Sequence, residues 1–188
     1  MWIRPSQDAG SSANLEHFSD KACRYFRFYD DGIIPAVFRI PLSREVVASR
    51  MFRVTQEIEF CYGHRLLNYS GKCRHLHGHN GLAVIVLEGD ELDDRGMLID
   101  FNDIKRQVRS WIDEHLDHRM ILHKDDPAIE SLRALGEPLY LIDCNPTAEN
   151  IARLIFEHAS AEGLPVVEVR LWETPHAYAT YRRPSSKT

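Results

Sequence analysis

The sequence predicts an α+β fold: a four-stranded antiparallel sheet with two helices inserted between strands 2 and 3 and packed on one face. Three observations carry this prediction. Residues 51–61 alternate apolar and polar, the signature of a half-buried strand. A nearly continuous apolar run fills 81–87, the pattern of a strand buried on both faces. Two helical patterns then come before any further strand, so both helices sit between the second strand and the third.

In the first strand Val54, Ile58 and Phe60 share one face, while Arg53, Thr55, Glu57 and Glu59 share the other. The second strand is expected from about His77 to Glu88, and Asp93, Asp94, Arg95 and Gly96 supply a turn. Asp100 suits the N-cap of a helix, with Asp103 in its first turn where a carboxylate complements the dipole. That helix lines up Ile104, Val108, Trp111 and Ile112 and is expected to end near Leu116, Asp117 and His118. The run 138–142 reads either as a short extra strand or as a buried loop. Thr147 caps a second helix that buries Ile151, Leu154 and Ile155, and Gly163 and Pro165 stop it. Val166 to Trp172 and Ala177 to Arg182 complete the sheet.

A chain of 188 residues is long enough for one well-packed domain with some length to spare. Its net charge of −5 argues against a general nucleic-acid binder. No stretch approaches the run of about 20 apolar residues that a membrane span needs, and no signal-peptide core is evident, so a cytoplasmic location is expected. Cys23, Cys61, Cys73 and Cys144 follow no disulfide framework and are expected to be reduced. Residues 1–50 differ in character, with Pro5, Pro35 and Pro41 interrupting any regular element and seven basic against six acidic residues. They are expected to form a loosely held N-terminal extension, or to precede the true start at Met51. The domain proper is then 51–188.

The chemistry concentrates around Cys73, His77 and His79, with His64 just upstream. Alternation along the second strand puts His77 and His79 on one face, with Gly78 on the other. A third imidazole from His64 makes a three-nitrogen zinc site with an open fourth position, the catalytic rather than the structural arrangement. Cys73 beside it is either a proton-transferring thiol or a fourth ligand that closes the site. Glu173 ends an apolar row formed by Val167, Val169 and Leu171. Either the strand stops there and the carboxylate reaches water, or it receives a ligand with two parallel N–H donors. Asp117 and His118 read either as a helix terminus or as a carboxylate–imidazole pair that relays protons.

Five motifs in one order bring these residues together: Cys73 with His77 and His79; residues 96–101; Leu116, Asp117 and His118; residues 145–150; and Trp172 through Pro175. Together they resemble the 6-pyruvoyl-tetrahydropterin synthase / 6-carboxy-tetrahydropterin synthase family over about Phe52 to Arg183. The resemblance implies the tunnelling fold, in which subunits join their sheets edge to edge, typically as a homohexamer of two stacked trimers with active sites at subunit interfaces. It implies a zinc-dependent lyase acting on the pterin 7,8-dihydroneopterin triphosphate, with His64, His77 and His79 as zinc ligands. Cys73 matches the family's catalytic base, Asp117 and His118 its proton-relay pair, and Glu173 the residue that anchors the pterin ring. The three-residue spacing between Cys73 and His77 resembles the 6-carboxy-tetrahydropterin synthases of queuosine and 7-deazapurine biosynthesis, which release acetaldehyde and triphosphate. A pyruvoyl-forming synthase is the close alternative, and a pterin- or zinc-binding module without catalysis a more distant one. The chain departs from the family at Phe60 to Gly63, where small residues usually approach the first zinc ligand, and at Pro175 to Tyr178.

Overall fold

A computed structural model describes residues 51–182; the extension at 1–50 lies outside the described residues. Six strands form one mixed sheet in the order β4-β3-β1-β2-β5-β6. They span Phe52–His64 (β1), His77–Gly89 (β2), Arg119–His123 (β3), Leu139–Ile142 (β4), Val166–Thr174 (β5) and Ala177–Arg182 (β6). A continuous helix at 101–115, α1, runs through Phe101–Ile104, a π-spaced stretch Lys105–Arg109, and Ser110–His115. Two more helices are Ile129–Ala134 (α2) and Ala148–Ala161 (α3). No helix among the described residues is long and apolar enough to cross a membrane.

The expected antiparallel quartet is present as β1, β2, β5 and β6. The sheet is nevertheless six-stranded and mixed, because β3 pairs parallel to β1 and β4 parallel to β3. The two extra strands have five and four residues. Strands so short, with apolar residues on both faces, leave no period-2 signal. Of the two readings open for 138–142, the strand is the one adopted.

The core follows the predicted stripes. Ile58, Phe60, Ala83, Ile85, Leu87, Val169 and Leu171 from the sheet pack against Ile104, Val108 and Ile112 of α1 and Ile151 and Ile155 of α3. Each large aliphatic side chain buried this way is worth about 1.5–3 kcal/mol. Asp100 and Thr147 cap α1 and α3 as expected, accepting from the N–H groups of Asn102 and Asn150. Trp111 and Leu154 are only half-buried, at the margin of the core. The two long helices share one face of the sheet, but α2 does not join them. Neighbouring residues Ile121 and Leu122 point to opposite faces of β3, and Leu122 packs with Ile129 and Leu132 of α2 in a separate cluster.

Two irregularities in β5 alter its expected parity. Between Val86 and Leu87 the β2–β5 register shifts, so Leu87 pairs with Val166 and Val86 with Glu168. Val166 is therefore buried in the core and Val167 is not, contrary to a strict alternation. The second shift lies between Trp172, which pairs with Tyr178, and Thr174, which pairs with Ala177. Glu173 falls in that gap, at a bulge that re-aims its side chain.

Candidate active site

The site is built at the shared end of β1 and β2. The first strand was expected to stop near Cys61 but continues to His64, carrying the inward row Ile58, Phe60, Tyr62 and His64 out of the core. Antiparallel register sets His64 opposite His77 and Tyr62 opposite His79. Three imidazoles thus converge on one face, with ligating atoms all within 4.8 Å of one another. Gly78 between the two β2 histidines is needed for this pairing: a Cβ there would lie 3.0 Å from the backbone oxygen of Tyr62.

Hydrogen bonds fix which ring nitrogens face inward. His64 Nδ1 lies 2.6 Å from the Pro146 carbonyl and His77 Nδ1 lies 2.8 Å from the His75 carbonyl. A carbonyl can only accept, so each Nδ1 carries the proton and each Nε2 presents a lone pair. Those two Nε2 atoms face each other at 3.0 Å. Neutral imidazoles held so repel unless a cation lies between them. The donor set of three imidazoles, each backed by a carbonyl where its partner is defined, is chemically suited to zinc. Burial lowers the His64 pKa; the Pro146 hydrogen bond and the charge of Glu173 oppose this, while His77 and His79 add to it. The net shift is downward and favours the neutral, ligating form.

The motif at 145–150 finds its physical role here. Asn145 accepts from the Leu67 N–H at 2.7 Å and donates to the Leu67 carbonyl at 2.9 Å, and Asn150 donates to the Asn145 carbonyl. This clamp joins the start of α3 to the loop after β1 and holds the Pro146 carbonyl against His64. Tyr62, Pro146 and His75 all act on the site, and none was apparent as a site residue in the sequence. A backbone carbonyl has no side-chain signature, and Tyr62 resembles one more core aromatic.

Glu173 lies beside the histidines. Its Oε1 accepts from the Tyr62 hydroxyl at 3.0 Å and stands 3.8 Å from His64 Nε2. With His64 neutral, that second contact is not an ion pair. Burial first, then the charge and hydrogen bond of Glu173, push the Tyr62 pKa well up, so the hydroxyl keeps its proton.

Asp117 and His118 form the expected pair, with His118 Nδ1 donating to Asp117 Oδ2 at 2.7 Å. The carboxylate does not cap α1; its other oxygen accepts from the Cys61 N–H at 2.7 Å. Burial would raise the Asp117 pKa, but the Cys61 N–H and the hydrogen bond and charge of His118 outweigh it, leaving a net downward shift. His118 has a φ of 53°, uncommon for a residue with a Cβ, and its N–H donates to the Cys61 carbonyl at 2.6 Å. It closes the helix and opens β3 in one step.

His77, His79, His118 and Glu173 line one cavity of about 860 Å³. Cys73, on a 3-10 turn at Lys72–Arg74, lines a smaller cavity of about 320 Å³ with His64 and Glu173. Cys73 and His118 therefore open onto two cavities that meet at Glu173. Arg65, next to His64, pairs with the buried Asp126 at 2.7 Å. Cys61, Cys73 and Cys144 are free thiols.

Residues 53–184 match the family model described as 6-pyruvoyl tetrahydropterin synthase. The chain belongs to that family. A 6-carboxy-5,6,7,8-tetrahydropterin synthase from Rickettsia conorii is 37% identical over 139 residues, covering 68% of this chain and 98% of the relative. The protein of the same name from Haemophilus influenzae is 32% identical over 140 residues, covering 70% and 99%. Among solved structures, an uncharacterized protein from Wolinella succinogenes superposes with a TM-score of 0.60 at 29% identity, covering 72% of this chain and 99% of that one. The Caenorhabditis elegans 6-pyruvoyl tetrahydropterin synthase gives 0.55 at 24% identity over 71% and 96%, a likeness of fold. The chain is thus a tetrahydropterin synthase relative, and an enzyme of the lyase class is what this family membership supports.

Proposed function

We propose that this chain is a zinc-dependent 6-carboxy-5,6,7,8-tetrahydropterin synthase of queuosine and 7-deazapurine biosynthesis. It converts 7,8-dihydroneopterin triphosphate and one water into the carboxy-tetrahydropterin, acetaldehyde and triphosphate. The observation that carries the reading is the pair of Nε2 lone pairs of His64 and His77 facing each other at 3.0 Å, with both Nδ1 protons committed to carbonyls. His79 supplies the third nitrogen. The curated relatives that share most of this chain's domain bear the carboxy-synthase name, which favours that product.

When bound, zinc supplies a Lewis acid that acidifies hydroxyls on the substrate side chain. Glu173 receives the N–H edge of the aminopyrimidinone ring and so fixes which substrate atoms face the histidines. Cys73 removes a proton from the side chain. His118, its Nδ1–H held by Asp117, uses Nε2 to take up or return a proton. In the proposed homohexamer, sheets join edge to edge, which removes the open backbone edges of β4 and β6. The domain at 51–188 carries this activity in the cytoplasm, and residues 1–50 are an extension outside it.

The test is mass spectrometry of the products after zinc-loaded protein is incubated with 7,8-dihydroneopterin triphosphate. Carboxy-tetrahydropterin with stoichiometric acetaldehyde is the expected result. A pyruvoyl-tetrahydropterin product, or unchanged substrate with folded, zinc-loaded protein, refutes the proposal.

A further inference from the structure

We propose that Tyr62 is a positioning residue that holds the Glu173 carboxylate away from the metal and directs it at the pterin ring; this rests on the zinc and ring-anchor reading above. The Tyr62 side chain is locked in place. The ring stacks on Phe60 with centroids 5.3 Å apart, and a Cβ on Gly81 would come within 2.9 Å of it. It also lies edge-on to His64 at 5.4 Å and tilted against His79 at 5.8 Å. From this fixed base the hydroxyl donates to Glu173 Oε1 at 3.0 Å.

Glu173 needs such a tether. Its backbone sits at a bulge, between the Trp172–Tyr178 and Thr174–Ala177 pairs, so the sheet constrains it less than its neighbours. The oxygen that Tyr62 holds is 3.8 Å from His64 Nε2. Two ligands of one tetrahedral zinc, each at about 2.0–2.2 Å, lie roughly 3.4 Å apart. A shift of about half an ångström would therefore bring Oε1 to ligand spacing. Zinc accepts glutamate oxygen readily, and a fourth protein ligand would convert an open catalytic site into a closed one. The Tyr62 hydroxyl donates to the same carboxylate oxygen that stands nearest His64 Nε2, and so competes with a metal for it.

Cobalt(II)-loaded wild type, Tyr62→Phe, Glu173→Gln and the double variant, compared by visible absorption, test the idea. Neopterin binding to the metal-free proteins, followed by fluorescence, supplies a readout independent of turnover. Tyr62→Phe is expected to change the cobalt spectrum as a carboxylate enters the coordination shell, and to weaken neopterin binding by about 10-fold or more, the value of a hydrogen bond to a charged group. Adding Glu173→Gln to Tyr62→Phe is expected to restore the wild-type spectrum. An unchanged spectrum together with unchanged neopterin affinity in folded Tyr62→Phe overturns the inference. Should Tyr62→Phe fail to fold, Glu173→Gln alone decides: an unaltered cobalt spectrum supports a carboxylate held off the metal, and an altered one means Glu173 is already a ligand. A wild type that binds no cobalt removes the metal reading itself and this inference with it.

Discussion

Zinc should stabilise this domain in proportion to the logarithm of its free concentration, because the three-histidine cluster exists only in the folded chain. At free zinc of about 1,000 times Kd, linkage gives about 4.1 kcal/mol. For a folded domain of roughly 130 residues the unfolding entropy near Tm is about 0.27 kcal/mol/K, so that stabilisation corresponds to a rise of roughly 15 °C. His77→Ala removes one nitrogen and the lone pair that faces His64 at 3.0 Å. Losing a ligand should weaken binding by more than the roughly 100-fold that outer-shell changes can cost. At the same free zinc the variant should then gain about 1.4 kcal/mol or less, a rise of roughly 5 °C. The assay is thermal unfolding followed by circular dichroism in zinc buffers spanning several decades of free metal. The reasoning fails if wild type shows no zinc-dependent rise, or if His77→Ala rises as far as wild type does.

Three further outcomes are expected. Cys73→Ala should abolish turnover while keeping the full zinc-linked rise in Tm; a reduced rise would make Cys73 a ligand instead of a base. Asp117→Asn should cost about 1 kcal/mol near neutral pH, since His118 is exposed and its hydrogen bond is screened by solvent. The folded pKa of Asp117 lies below its ordinary value of 3.8, so its contribution is complete above that value and is lost as pH falls through the folded pKa. Urea unfolding should accordingly show the gap between wild type and variant closing below about pH 4, and an equal gap at pH 3 and pH 6 contradicts this. Arg65→Met leaves the fully buried Asp126 carboxylate with the Ala128 N–H but without its guanidinium. A loss of about 3 kcal/mol, or roughly 10 °C in Tm, is expected, largely restored by adding Asp126→Asn. A change under about 0.5 kcal/mol would show that the pair contributes nothing.

Wherever one face of an element is buried over several periods, the sequence was sufficient. The alternation of β1, the apolar run of β2, and the stripes of Ile104, Val108 and Ile112 and of Ile151 and Ile155 each report a partition between core and water that the chain cannot avoid. His77 and His79 were placed together for the same reason, since period 2 along a strand is a property of the backbone. What stayed hidden depends on neighbours distant in sequence. Strands β3 and β4 exist because β1 offers them an edge, and nothing within four or five residues announces that edge. The bulge that carries Glu173 arises from a mismatch with β6, and the Pro146 carbonyl reaches His64 across 82 residues of chain. Periodicity and spacing therefore determined the α+β class and the pairing of His77 with His79 on one strand face, and the order of the motifs pointed to the family. Tertiary structure alone decided the tautomers of His64 and His77, the tether from Tyr62 to Glu173 and the two cavities that meet there, because hydrogen-bond partners brought together by folding leave no periodic trace in the chain.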